Sequence, residues 1–160
     1  MMFSFFQRKA SLDPLVSSKL FNEYTFYEAF MQDLENCKEE VVIESPYITN
    51  SRMWPLRPIF QKLVDRNVTV YIITRDPKEH EENLAVQAEG QISEFEIMGV
   101  QVLLSEGNHH RKLAMLDRKI LWEGSLNILS QVKSREIMRR IESKKLTLEM
   151  LKFLKLEKVL

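Results

Sequence analysis

A single cysteine, Cys37, stands among the 160 residues, so no intrachain disulfide can form. That usage fits a reducing compartment, and Cys37 is expected on a helix without a chemical role. No run approaches the roughly 20 apolar residues that span a bilayer. The first residues, MMFSFFQRKA, are apolar first and basic second, the reverse of a secretory signal and with too short an apolar run. Such a Phe-rich start could rest on a membrane surface or a partner, but a packed or frayed tail is the simpler reading. The expectation is a cytoplasmic protein with no transmembrane segment. Net charge is lacking as well: 23 Lys plus Arg balance 23 Asp plus Glu, so no global field draws the chain to nucleic acid or membrane. Any anion site must come from local clustering. Internal repeats, low-complexity segments and linkers are absent, and 160 residues suit one domain with a sizeable core.

What is present is an alternation of helical and strand periods. Thr25 with Glu28 reads as a capping box opening a helix that buries Phe26, Phe30, Met31 and Leu34 and ends near Lys38. Val41–Ile43 begins a strand that stops at Pro46. A second helix runs to about Arg66, with Pro55 and Pro58 expected near its first turn, where amides need no intrahelical partner. Val68–Thr74 is apolar on both faces, as in a covered parallel strand. Asp76-Pro77 then opens a helix to Met98, ended by Gly99 and acidic along its exposed face, where His80 is expected to be solvated. Val100–Leu104 is the next strand. A hairpin around Asp117, a strand at Arg135–Ile141 and a last helix capped by Ser143 follow. The pattern predicts an α/β fold: a mixed, largely parallel sheet with helices on both faces. Residues 1–24 read as an irregular lead-in, residues 25–142 as the domain that carries the chemistry, and residues 143–160 as a helix packed on it.

The organising stretch is HHRKLAMLDRKILWEGSLN, residues 109–127. His110 and Lys112, two apart on a segment with strand character, project to one face. Ser125 and Asn127 repeat that spacing. An imidazole, an ammonium, a hydroxyl and a carboxamide in one patch suit a tetrahedral phosphate: one group attacks, one cation and two neutral groups hold the oxygens. This points to cleavage of a phosphodiester. Asp117, seven residues from His110, has the opposite strand parity and is expected to hold the turn or the lysine. His109 faces away from His110 and has no catalytic role. Lys133, Arg135 and Arg139 begin a basic run with Arg140, Lys144 and Lys145. It reads equally as a solvated face or as a phosphate-backbone track, because alternate strand residues face opposite ways.

The order His-x-Lys, four residues, Asp, six residues, Gly-Ser-x-Asn resembles the HKD signature of the phospholipase D superfamily. His110, Lys112, Asp117, Gly124, Ser125 and Asn127 fill every position. Ser45-Pro46-Tyr47, Arg75-Asp76-Pro77 and Ser134-Arg135-Glu136 are also similar to its flanking segments, and the likeness spans about residues 25–141. The resemblance implies the superfamily's fold and a two-step reaction. One motif histidine attacks phosphorus to give a phosphohistidine; a second protonates the leaving oxygen, then activates water. Glu136 resembles the acidic residue that orients a motif histidine, and Gly124 and Asp117 support the site. With Lys112 as cation and no clustered carboxylates, neither a metal nor another cofactor is required. Two motifs are needed and this chain has one: of His80, His109 and His110, only His110 is followed by Lys at the second position. The second histidine is therefore expected from another copy in a C2 homodimer.

Single-motif members of the superfamily are small dimeric nucleases, which this chain resembles in size. The expected substrate is nucleic acid, DNA before RNA. A lipid hydrolase or transferase shares the chemistry. A non-catalytic dimerising or DNA-holding module of a helicase or restriction system is a third possibility.

Overall fold

A computed structural model describes residues 16–130 and 133–160; the Phe-rich start therefore lies outside the described residues. The strands are β1 (Ser17–Asn22), β2 (Glu40–Glu44), β3 (Thr69–Arg75), β4 (Gln101–Ser105), β5 (Leu113–Leu116), β6 (Ile120–Gly124) and β7 (Ile137–Glu142). The helices are α1 (Phe26–Asn36), α2 (Asn50–Asp65), α3 (Glu82–Met98) and α4 (Lys144–Phe153). One seven-stranded sheet has the order β1-β7-β6-β5-β2-β3-β4.

The sheet is mixed and flanked by helices, as the pattern predicts, but its balance is not largely parallel. Only β2 with β3 and β3 with β4 pair in parallel; the other four pairings are antiparallel. The reason is local. Helices α2 and α3 link β2 to β3 and β3 to β4 as neighbours, and a parallel pair needs such a crossover; α1 leads from β1 to β2, which are not neighbours in the sheet. From β5 onward the connections are short. Asp117 and Arg118, at φ 50° and 52°, make the tight turn whose twist suits an antiparallel hairpin.

The lead-in is also not wholly irregular. Ser17–Asn22 adds β1 to the sheet edge against β7, and Phe21 packs on Trp122 with ring centroids 4.9 Å apart. Its partner strand lies more than a hundred residues away, so no local pattern announces it. At the start of α1 the Thr25 side chain makes no cap bond. Instead the Asn22 side-chain oxygen accepts from the amides of Tyr24 and Thr25 at 3.0 and 3.1 Å. Helix α2 begins earlier than the prolines suggest, which leaves Pro55 and Pro58 inside it. Asp76 does cap, accepting from the Lys78 amide at 2.9 Å, but it opens only a single tight turn, Pro77–Glu79. His80 follows that turn and is not on the acidic helix face. Its ring lies 5.0 Å from that of Tyr47 with both nitrogens buried.

The larger core lies between the sheet and α1, α2 and α3, centred on Phe26, Phe30 and Trp122. Cys37 is buried at its edge, and burial, with Asp117 and Asp33 nearby, pushes its thiol up to about 12; it is unreactive at neutral pH. The smaller core, with Val42, Met115, Leu121 and Leu151, lies on the other face under α4. That ten-residue helix is too short to cover the face, and Leu20 and Ile137 stay 62% and 57% exposed. No helix among the described residues is long and apolar enough to cross a membrane.

Candidate active site

The chain leaves β4 at one edge of the sheet and enters β5 beside β2. Residues 106–112 therefore run across the carboxyl ends of β3 and β2, the place where open α/β sheets bind ligands. Each strand end pins the crossing. At β3, Arg75 donates to the Asn108 side chain at 2.8 Å, and Glu79 accepts from the amides of Gly107 and Asn108 at 2.8 and 3.3 Å. At β2, the Arg111 guanidinium donates two bonds to Glu44, at 2.6 and 2.9 Å. Glu44 is fully buried. Burial raises its carboxyl above the usual range, and Arg111 opposes the rise.

His110 and Lys112 flank that clamp, just before β5 rather than within it. The Lys112 ammonium lies 2.8 Å from His110 Nδ1 and 3.4 Å from Nε2, and donates to the His110 carbonyl at 2.7 Å. The imidazole is exposed. Lys112 is half-buried; burial lowers its affinity for its proton, while the Glu136 charge works the other way. His109 is buried. Burial first, then the charges of Arg111, Lys112 and His110, hold it at about 4, so it is neutral at pH 7.

Gly124 ends β6 opposite Met138. A Cβ there would strike the Ile137 carbonyl oxygen and Met138, so only glycine permits this approach of β6 to β7. Ser125 follows. Its amide donates to the Ile137 carbonyl at 3.0 Å, its hydroxyl accepts from the Ile137 amide at 3.2 Å, and the same hydroxyl donates to Glu136. Glu136 also accepts from the Ser134 hydroxyl at 2.6 Å, and its amide donates to Glu23 at 3.0 Å. Glu136 is thus turned to two hydroxyls and not to the His110 ring. Standing at the mouth of β7, next to Ser125, it reaches the serine of its own hairpin first. Glu23, in the turn after β1, is a participant no sequence pattern singled out. The amide of Glu136 is the main cause of its lowered carboxyl. Asn127 is half-buried with its side-chain oxygen unpartnered among the described residues.

His110, Lys112, Gly124, Ser125 and Arg139 line one cleft of about 820 Å³. Arg139, whose guanidinium donates to Ser18 at 3.0 Å, is the one phosphate-binding candidate on its wall. Lys133 and Arg135 are exposed and outside it. Arg140 points to the opposite face, spent on Asp33 and Glu142.

Asp117 lies at the far end of the hairpin, five residues beyond Lys112, roughly 16 Å of extended chain. Its carboxylate accepts from the amides of Lys38, Glu39 and Glu40 at 3.0, 2.8 and 3.0 Å. It holds the loop between α1 and β2, not the lysine. Partial burial tends to raise its carboxyl, but the three amides prevail and the net shift is downward. Asp117→Ala is expected to cost about 2–3 kcal/mol in urea unfolding, from the lost charge-assisted bonds and a non-glycine residue held at positive φ. The carboxyl's folded pKa lies below its unfolded one, so its contribution is present above the unfolded value of about 3.9 and fades as pH falls through the folded value. Asp117→Asn should therefore remove part of the wild type's loss of stability below about pH 4.

The chain matches the family model described as "Cardiolipin synthase, PLD-like domain" over residues 30–156, a span that includes α4. Among solved structures it is similar to Nuc from Salmonella typhimurium, a phospholipase D family member. That match has 15% identity over 88% of this chain and 92% of Nuc, with a TM-score of 0.71. NucT from Helicobacter pylori matches at 17% identity over 88% of this chain and 94% of NucT, with a TM-score of 0.67. Phosphatidylserine synthase from Haemophilus influenzae matches at 15% identity over 92% of this chain but 39% of its own, with a TM-score of 0.69. No curated protein sequence matches.

Proposed function

The chain belongs to the phospholipase D-like domain family, and from that premise we propose that it is a nuclease that cleaves phosphodiesters through a phosphohistidine, with two copies completing one site. Membership in the family supports phosphodiester chemistry. The observation that carries the reading is the exposed His110 ring with Lys112 2.8 Å away, both on the wall of a cleft that also holds Ser125.

A neutral ring that accepts from Lys112 on Nδ1 carries its proton on Nε2, the form of a proton donor. A phosphate that draws the ammonium to its oxygens frees Nδ1 to hold the proton, and Nε2 becomes the nucleophile. In the first step the nitrogen–phosphorus bond forms as the bond to the leaving oxygen breaks, and the second copy's imidazole gives that oxygen a proton. In the second step that same imidazole takes a proton from water, the water oxygen bonds to phosphorus, and the nitrogen is released. Lys112 supplies positive charge where the non-bridging oxygens gain negative charge. Ser125, held by Glu136 and the Ile137 amide, is positioned as a neutral donor. The reading needs no metal, since the charge on phosphorus oxygens is met by side chains.

Small size, a single motif and Arg139 on the cleft wall support a nucleic-acid substrate. The apolar remainder of that wall favours a second reading, hydrolysis or transfer of a phosphatidyl group. The test offers labelled single- and double-stranded DNA, RNA and a phosphatidylcholine reporter, each with and without EDTA. Nucleic acid cut equally in both conditions is the expected result. Turnover of lipid alone would replace the nuclease by the second reading, and cutting abolished by EDTA would remove the metal-independent mechanism.

A further inference from the structure

Arg75, at the end of β3, ties together the segments that follow β2, β3 and β4. Its guanidinium donates to Glu79 at 2.7 Å, to the Asn108 side chain at 2.8 Å and to the Tyr47 hydroxyl at 3.4 Å. The side chain is only 16% exposed, and it does not line the cleft of His110. Gly107 and Asn108 both stand in the left-handed region, at φ 82° and 59°. Asparagine tolerates that region but does not prefer it, so the turn needs an outside hold. Glu79 binds the two amides and Arg75 the Asn108 side chain. Two residues later the chain reaches His110. Against this hold packs His80, its ring 5.0 Å from that of Tyr47. Both of its nitrogens are buried, with no hydrogen-bond partner among the described residues.

We propose that Arg75 is a positioning residue for His110, acting through Asn108. The inference rests on the reading of His110 as nucleophile, acid and base, and it adds what fixes the ring in place. A planar, forked guanidinium can reach three loops at once, which a single ammonium cannot. Once Asn108 is released, residues 107 and 108 leave the left-handed region and the backbone entering His110 shifts. A misplacement of about 1 Å at a reacting atom costs on the order of 100-fold in rate. Arg111 holds the chain from the β2 side, so Lys112 stays where it meets the phosphate. The loss therefore falls on the chemical step and not on binding. The hold is also sensitive to acid. Burial first, then the Arg75 charge, keep the His80 imidazole below the ordinary histidine range, while the Pro46 carbonyl, Glu79 and Asp76 act the other way. A proton there sets a second cation beside Arg75, shielded from water. Opening the loop hydrates that charge, so the held form loses ground as pH falls below about 6.5.

Hydrogen exchange at the amides of residues 107 and 108 reads the hold without substrate. Asn108→Gly keeps the left-handed backbone and removes the acceptor. It and Arg75→Gln should each exchange at least about 10-fold faster, the scale of one charge-assisted bond. On labelled nucleic acid, Arg75→Gln should lower kcat about 100-fold and leave KM within about twofold. Arg75→Lys should restore little of that loss. In the wild type, protection corrected for intrinsic rates should drop several-fold from pH 7.5 to pH 5.5, and in His80→Gln it should not. Unchanged exchange in both variants, faster exchange with unchanged kcat, or full activity in Arg75→Lys would each overturn the proposal. An equal drop in His80→Gln would overturn the part given to His80. Should the wild type cut no nucleic acid while both variants lose protection, the hold on the turn stands and the nuclease reading falls.

Discussion

His110→Ala is expected to lower phosphodiester cleavage by at least about 10⁴-fold, the scale at which loss of a nucleophile that also serves as acid and base is felt. The imidazole is exposed and, among the described residues, bonds to Lys112 alone, so stability should change little and the circular dichroism should match the wild type. Rapid quenching with labelled substrate should trap an acid-labile, base-stable label on the wild type and none on the variant. Mixed dimers give a sharper result. A wild-type copy paired with a His110→Ala copy keeps one ring and lacks its twin, so activity should fall as the square of the wild-type fraction. A linear fall would show that each copy works alone, and the composite site would be lost.

Arg111→Ala should have the largest effect on stability, about 3–5 kcal/mol, because it leaves the carboxylate of Glu44 buried without its cation. The two partners are unequal. The Arg111 side chain is 48% exposed and that of Glu44 not at all, so Glu44→Gln, which strands a cation that water can reach, should cost clearly less. Burial already raises the Glu44 carboxyl, and Arg111 is what restrains it. Without the guanidinium its folded pKa climbs further above the unfolded value. The stability of Arg111→Ala should then hold at low pH and be lost as pH rises through that folded pKa. Urea titrations at pH 5 and pH 8 check this: the deficit against wild type should be larger at pH 8. Adding Glu44→Gln to Arg111→Ala should recover much of the loss. A deficit independent of pH would mean that Glu44 does not carry charge in the fold. Activity should fall with Arg111→Ala as well, since the clamp holds the backbone between His110 and Lys112.

The motif was legible because its chemistry is encoded in spacing. His110 and Lys112, two apart, do meet, and Ser125 joins them on one cleft wall. Strand parity also separated Asp117 from the chemistry, and the amide bonds to residues 38–40 give it another task. The helix cap at Ser143, which accepts from the Leu146 amide at 3.3 Å, and the glycine stop at Gly99, φ 98°, were readable for the same reason: they depend on neighbours within four residues. Glu136 shows where such reading ends. Its type and place suggested a partner for His110, yet the pairing of β6 with β7 puts Ser125 within its reach.

Residue spacing by itself determined that His110 and Lys112 stand together, that the chain carries one such motif, and that helices alternate with strands through β4. Each of these follows from the fixed repeat of a helix or a strand. Tertiary structure alone decided that the sheet is mostly antiparallel, that β1 joins its edge, that residues 106–112 cross two strand ends, and that Glu44 and Glu23 brace the site. Glu44 and Glu23 reach their partners 67 and 113 positions away, and β1 pairs with a strand more than a hundred residues on. The free energy of such contacts comes from packing and burial after the chain has closed on itself, so no stretch of sequence contains them.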